Sequence, residues 1–153
     1  MKLGVIPLMI IVSIIANSNV NEQSELQRNV ILITISTLRA DHVSCFGYER
    51  DTTPHFDKFA RDNILFHSAF ATSGWAMPAH GSIFTSLYPS RHGATHIDLQ
   101  LDEEHYTLAE ILKDNGYYCV GFCCNPRLSQ NSGFAQGFDL YDDYSASVML
   151  ESL

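Results

Sequence analysis

The chain has 153 residues, with 9 Lys and Arg against 17 Asp and Glu and a formal net charge of −8 at pH 7. This acidic balance, without a cluster of basic residues, excludes the electrostatic footprint of a nucleic-acid-binding protein. The length and the 46% of hydrophobic residues are sufficient for one domain with its own core. Composition does not identify a protein partner.

The first 18 residues are typical of a secretory signal peptide. Lys2 precedes an apolar run from Val5 to Ile15, and small or polar residues then lead to a cleavage position near Ser18. The run is shorter than the roughly 20 residues that span a bilayer, so we expect no stable membrane insertion. We predict an exported chain with residues 1–18 removed and residues 19–153 retained; an uncleaved segment would instead anchor it.

Three elements are predicted in the first half. Residues 30–35 form a continuous aliphatic run, typical of a strand covered on both faces of a parallel sheet. Thr53 followed by Pro54 predicts a helix start. Residues 64–71 form a second apolar run, which we interpret as another strand.

Three more elements follow. Pro78 is predicted to open a helix that ends before Pro89. Residues 107–110 have the capping-box pattern of a third helix, which stops at Gly116. Residues 117–124 predict a third strand. The alternation of helices and strands indicates an α/β fold, a three-layer sandwich with a mostly parallel sheet.

The cysteines contain no Cys-x-x-Cys pair. Cys119, Cys123 and Cys124 lie in the apolar run of the third strand, so we interpret them as buried small hydrophobic residues. Because export would permit disulfides, a disulfide that includes Cys45 is the alternative.

The histidines do not form a metal motif. Only His92 and His96 have ligand-like spacing, and Gly93 between them disfavours a rigid helix that would align both rings. The Glu of a His-Glu-x-x-His motif is also absent. We therefore expect core and surface histidines.

Several ordered motifs resemble the sulfatase family of the alkaline phosphatase superfamily. The resemblance covers roughly residues 29–143 and is carried by Asn29–His42, Thr52–Asp57, Trp75–Thr85, Leu87–Gly93, Thr107–Leu112, Gly116–Tyr117, Gly133–Phe134 and Gly137–Asp139. It implies a sulfatase-like α/β fold, of which this chain is the amino-terminal part because the family domain is several-fold longer. The family activity is the hydrolysis of sulfate esters with calcium or another divalent metal.

The resemblance implies that Ser36 and Thr37 stand where the family has metal-binding aspartates. A hard cation prefers several oxygen ligands with carboxylate charge among them, and a hydroxyl supplies oxygen without that charge. We therefore expect no divalent metal to be bound here.

The resemblance also implies that Ala76 occupies the position of the nucleophile, two residues before Pro78. The family has Cys or Ser there, matured to formylglycine, or Thr in phosphate-handling relatives. Alanine cannot attack a sulfur or phosphorus centre. His80 stands where an Arg is usual and could contact an anion. The neighbouring Ser73 and Ser82 have the wrong spacing to replace the nucleophile.

These substitutions predict a catalytically inactive sulfatase-like chain or a truncated fragment. Two alternatives stay open from the sequence. One is a phosphate-ester-handling relative in the same superfamily. The other is a non-catalytic secreted module whose partner is a sulfate or phosphate anion or ester, bound at a helix amino terminus.

Overall fold

A computed structural model describes the backbone of residues 11–15, and residues 28–96 and 100–144. The chain divides into two compact units, one within Met1–Ala71 and the other within Thr72–Leu153. Within the described residues, none of the helices has both the length and the apolar character that crossing a membrane would require.

In the part of the first unit that the structure describes, there are two strands and one α-helix. Strands β1 (Ile11–Ile15) and β2 (Asn29–Ile33) are antiparallel, with Ile11 opposite Ile33. Helix α1 (Pro54–Asp62) follows two short 3-10 turns, and Pro54 stands at its amino terminus, as predicted.

The second unit combines helices with a parallel strand pair. Its elements are α2 (Ala76–Thr85), α3 (Pro89–His92), α4 (Leu108–Asp114), β3 (Val120–Phe122) and β4 (Leu140–Asp142). Strands β3 and β4 are parallel, with Val120 opposite Leu140. The 3-10 turns Pro126–Leu128 and Gln130–Ser132 lie in the connection between these strands, so the pair is formed by a crossover rather than by a hairpin.

Phe134 is central to the hydrophobic core of the second unit. The buried core consists of Met77, Ala94, Leu101, Leu128 and Phe134, with Phe84, Cys123 and Tyr141 packed against it. The rings of Phe84 and Phe134 have centroids 5.8 Å apart and are tilted by 57°, a favourable aromatic arrangement. Met77 connects this core directly to the first turn of α2.

Two of the predicted strands differ from the observed ones, and a third does not form. Residues 64–71 form no strand, and their large side chains at Ile64, Phe66 and Phe70 are exposed. A strand needs a partner for its backbone groups, and this run has none in the described part of the chain. The strand predicted at 117–124 is confined to Val120–Phe122 because only those residues pair with β4.

The first predicted strand, residues 30–35, begins one residue earlier and ends two residues earlier, at Asn29–Ile33, and it is not covered on both faces. Val30, Ile31 and Ile33 are exposed, and the described partner of β2 is the antiparallel β1. Strand β1 lies inside the predicted signal peptide. The cleavage position near Ser18 lies outside the described residues, so cleavage stays a prediction.

The cysteines depart from the expectation of uniform burial. Cys119 is buried, Cys123 is partly buried and Cys124 is exposed. All three cysteines flank β3 and lie outside its residues Val120–Phe122, so they are not the strand residues that were predicted. Cys45 and the other three are free thiols in this structure.

Thr107 forms the capping box that the sequence predicted for α4. Its hydroxyl accepts from the Glu110 N–H at 3.3 Å, and the Glu110 carboxylate accepts from the Thr107 N–H at 2.7 Å. Thr53 does not cap α1 in this way; its hydroxyl accepts from the Ser44 N–H instead, at 3.1 Å.

We expect Thr107→Ala to lower the free energy of unfolding by about 1 kcal/mol, because the first-turn N–H of α4 loses its acceptor. Urea denaturation followed by circular dichroism measures the change. Thr95→Ala is the matched control, since Thr95 is exposed and its hydroxyl donates a long hydrogen bond of 3.4 Å to the Gly93 carbonyl. Equal losses in both variants would contradict a capping role for Thr107.

Candidate functional site

The start of α2 brings Ala76 and His80 together. Trp75 precedes the helix in an extended conformation, and Ala76 is its first residue. Pro78 is therefore the third helical residue and not the first, a correction to the predicted start. Trp75 at the N-cap makes no side-chain capping hydrogen bond, and Pro78 has no N–H, so Ala76 and Met77 carry the first-turn N–H groups that lack an acceptor within the helix. Together with the positive end of the helix dipole, they favour a polar or anionic neighbour.

Ala76 presents a methyl group at the first position of α2, where it is partly buried. A methyl group offers no oxygen or sulfur that could form a covalent bond to a substrate. The next five residues, Met77 to Gly81, are all buried, so the helix start is held by packing. The position is therefore packed against the protein interior but carries no reactive atom.

His80 is directed back along the helix. The side chain is 4% exposed, and its Nδ1 lies 2.7 Å from the Ala76 carbonyl oxygen. Because the carbonyl can only accept, Nδ1–H is the donor. Burial lowers the pKa of His80, and the hydrogen bond to Ala76 opposes this less strongly. A neutral ring at pH 7 supplies no positive charge, which weakens the predicted role of His80 as an anion contact.

Ser82 and His92 lie within hydrogen-bond distance, as a serine nucleophile and its histidine base would. The Ser82 Oγ is 3.2 Å from His92 Nε2, and it accepts a hydrogen bond from the Thr72 hydroxyl at 2.8 Å. A general base would need an unprotonated Nε2 facing Ser82.

The hydrogen bonds of His92 exclude that arrangement. Its Nδ1 accepts from the Ala94 N–H at 3.2 Å, so the proton of the neutral ring is on Nε2. Nε2 lies 3.2 Å from the Pro78 carbonyl oxygen and donates to it. The ring therefore cannot accept the Ser82 proton in this state, and Ser82 is not an activated nucleophile.

Ser36 and Thr37 follow β2 in the first unit and are exposed. The Thr37 hydroxyl donates to the Ser36 carbonyl at 2.7 Å, and Thr37 has a left-handed backbone with φ +61°. The nearest following carboxylate, Asp41, is paired with Arg39 through a hydrogen bond of 2.8 Å, which holds the pKa of Asp41 below its ordinary value.

This donor set does not fit a divalent cation. Ser36 and Thr37 are neutral, so they offer oxygen atoms without carboxylate charge. Within residues 28–96 and 100–144, no group of three His, Cys, Asp or Glu side chains is arranged to hold a metal ion. A hard cation such as calcium prefers several oxygen ligands, with carboxylates among them.

A family model matches most of the chain. The family model described as Sulfatase matches residues 28–149, which is most of the chain. The chain belongs to the sulfatase family. This sulfatase-family chain is 33% identical over 102 residues to an N-acetylgalactosamine-6-O-sulfatase of Bacteroides thetaiotaomicron, covering 63% of this chain and 20% of the relative. It is 28% identical over 100 residues to the steryl-sulfatase of Mus musculus, covering 58% of this chain and 16% of the relative.

A solved structure supports the same fold. The phosphonate monoester hydrolase of Agrobacterium radiobacter is similar to this sulfatase-family chain with a TM-score of 0.57 and 25% identity, over 74% of this chain and 26% of that chain. The predicted α/β fold of the alkaline phosphatase superfamily is confirmed. The chain spans about a fifth of the length of the curated relatives that it matches.

The network of Thr72, Ser82 and His92 was not predicted from the sequence, in which His92 was considered as a metal ligand and then interpreted as a core or surface histidine. One signal was present: Gly81 lies inside a helix, where glycine is costly unless space demands it. A Cβ at Gly81 would lie 2.7 Å from the Cε1 atom of His92. The His92 ring therefore packs directly on the backbone of α2 at Gly81, eleven residues earlier in the chain.

Proposed function

We propose that this chain is a sulfatase-type scaffold that does not hydrolyse sulfate esters. The observation that carries the proposal is the methyl side chain of Ala76 at the first residue of α2. The family resemblance assigns the nucleophile to this position, and alanine has neither the attacking atom nor the side chain from which formylglycine is made.

The metal positions support the same proposal. Ser36 and Thr37 offer neutral oxygens where the resemblance assigns carboxylates, and Thr37 is hydrogen-bonded to the Ser36 carbonyl. A bound cation would stabilise negative charge on the substrate and leaving group. Loss of the nucleophile and of this charge together removes both parts of the family reaction.

Replacement of the nucleophile by Ser82 is disfavoured by the state of its neighbour. His92 presents Nε2–H and accepts through Nδ1, so it cannot remove the Ser82 proton. The hydroxyl of Ser82 therefore retains the low reactivity of a free serine.

The test is release of the chromophore from 4-nitrophenyl sulfate by the purified full-length chain with added calcium. We expect the rate to equal that of buffer alone. Turnover proportional to protein concentration would contradict the proposal, and its loss in Ser82→Ala would identify Ser82 as the replacement nucleophile. Ala76→Cys, produced with a formylglycine-generating enzyme, is the matched variant: activity there would show that the nucleophile alone was missing.

The alternative is a role in handling phosphate esters, which the similarity to a phosphonate monoester hydrolase favours. The same absence of a nucleophile at Ala76 applies to phosphoryl transfer. A phosphonate monoester in the same assay tests this alternative, and turnover of it without turnover of the sulfate ester would support it.

A second alternative is anion binding without hydrolysis at the uncapped start of α2. Here the ligand would be inorganic sulfate or phosphate, or an ester of either. An increase in the melting temperature that saturates with sulfate concentration, compared with chloride at equal ionic strength, would support this role.

A further inference from the structure

His92 is held in a geometry that only a neutral ring can adopt. The side chain is 1% exposed, and both ring nitrogens are used. The Ala94 backbone N–H, which is always a donor, points at Nδ1 from 3.2 Å. Nε2 faces the Pro78 carbonyl. A second proton on the ring would have to go to Nδ1, where it would oppose the Ala94 N–H.

The surrounding backbone leaves the ring little freedom to adjust. The ring packs on Gly81, at a distance where even a methyl group would approach it to 2.7 Å. Rotating the ring by half a turn would remove both hydrogen bonds and place carbon atoms against the Ala94 N–H and the Pro78 carbonyl. A protonated ring must therefore leave its position between α2 and α3.

From this geometry we propose that His92 is an acid-sensitive latch that fastens the first half of α2 to α3 when neutral and releases it when protonated. The latch acts on the helix start that carries Ala76 and His80. The latch does not require the site to be catalytic, so it is independent of the proposed loss of hydrolysis.

The groups around the ring agree with this assignment. On the α2 side, the His92 ring contacts the Ser82 hydroxyl and the Pro78 carbonyl. The titratable group that affects it from the segment before α4 is His105. Burial is the main cause that lowers the pKa of His92, and the charge of His105 adds to it. The hydrogen bond to the Pro78 carbonyl acts in the opposite direction, but the pKa of His92 is lowered overall.

The direction of the pH effect follows from these contacts. The folded pKa lies below the unfolded value of about 6.5, so the released state binds the extra proton. The latch is fully fastened above about pH 6.5, and it weakens as the pH falls through that value toward the folded pKa. In this window the equilibrium constant for opening rises about tenfold per pH unit for one proton.

The test follows hydrogen exchange of the Ala94 amide in the full chain by NMR, expressed as a protection factor from pH 7.5 to 5. In the native chain we expect protection to be constant above pH 6.5 and to fall by about tenfold per unit below it. His92→Asn should abolish this dependence, because an Asn side chain accepts from the backbone N–H two residues on without titrating. His96→Asn, at an exposed histidine on the same segment, should leave the dependence unchanged.

Two results would overturn the latch. One is an unchanged acid dependence of Ala94 protection in His92→Asn. The other is measured in the native chain, so it holds even if the variant does not fold: titration of the His92 ring signals with a pKa at or above 6.5, while Ala94 stays protected.

Discussion

Phe134→Ala is expected to destabilise the second unit by about 3–5 kcal/mol, the range for a large aromatic side chain removed from a packed core. Phe134 is 1% exposed and lies among Met77, Leu101 and Leu128. Its ring also packs against Phe84. Because folded domains are stable by only about 5–15 kcal/mol, a loss of this size removes a large share of the total.

Urea denaturation followed by circular dichroism measures this loss through the shift of the transition midpoint. Phe122→Ala is the matched control, since Phe122 belongs to the same unit but is 78% exposed. We expect a change of about 0.5 kcal/mol or less for it. A small loss at Phe134, or a similar loss at both positions, would contradict the central place of Phe134 in the core.

Gly133→Ala is expected to cost about 2–5 kcal/mol through two separate effects. The residue has φ +80°, a left-handed conformation that costs other residues about 1–2 kcal/mol. A Cβ atom would also lie 2.2 Å from the carbonyl oxygen of Leu101. That oxygen belongs to the backbone and accepts from the Gln136 amide, so it cannot move aside cheaply. Overpacking of this kind costs about 1–3 kcal/mol.

Gly93→Ala separates the two effects. Gly93 has a similar φ of +72°, but a Cβ there would meet nothing within 4 Å. We expect it to lose about 1–2 kcal/mol from the backbone conformation alone. The difference between the two variants in urea denaturation measures the contact with Leu101. Equal losses would show that this contact carries no cost.

The sequence was most informative where local chemistry decides the structure. The capping box at Thr107 and Glu110 formed as predicted, because both hydrogen bonds lie within four residues. Pro54 opened a helix as predicted, because its fixed backbone angle suits the first helical position. The ordered motifs also identified the family, since the whole set covers nearly the same residues as the family match, 28–149.

The sequence was less informative where partners lie far along the chain. The apolar run at 64–71 was compatible with a strand, but a strand exists only if another strand pairs with it. Strand β4, at Leu140–Asp142, was not predicted because its three residues are defined by pairing with β3. The close contact of Gly133 with Leu101 crosses 32 residues and has no local signature.

In the candidate site, too, local features were predictable and features that depend on distant partners were not. The lack of a nucleophile at Ala76 was visible in the sequence, whereas the burial of His80 and the tautomer of His92 were not. The tautomer depends on one backbone group, the Ala94 N–H, directed at Nδ1. That hydrogen bond prevents His92 from acting as a base toward Ser82, and no sequence motif indicates it.

The most direct test of the proposed loss of hydrolysis is the release of inorganic sulfate from a sulfate ester by the purified full-length chain, with calcium present. We predict release indistinguishable from the rate without protein, because Ala76 supplies no attacking atom and Ser36 and Thr37 supply no carboxylate. Sulfate release that scales with protein concentration and persists through successive purification steps would contradict this account of the site.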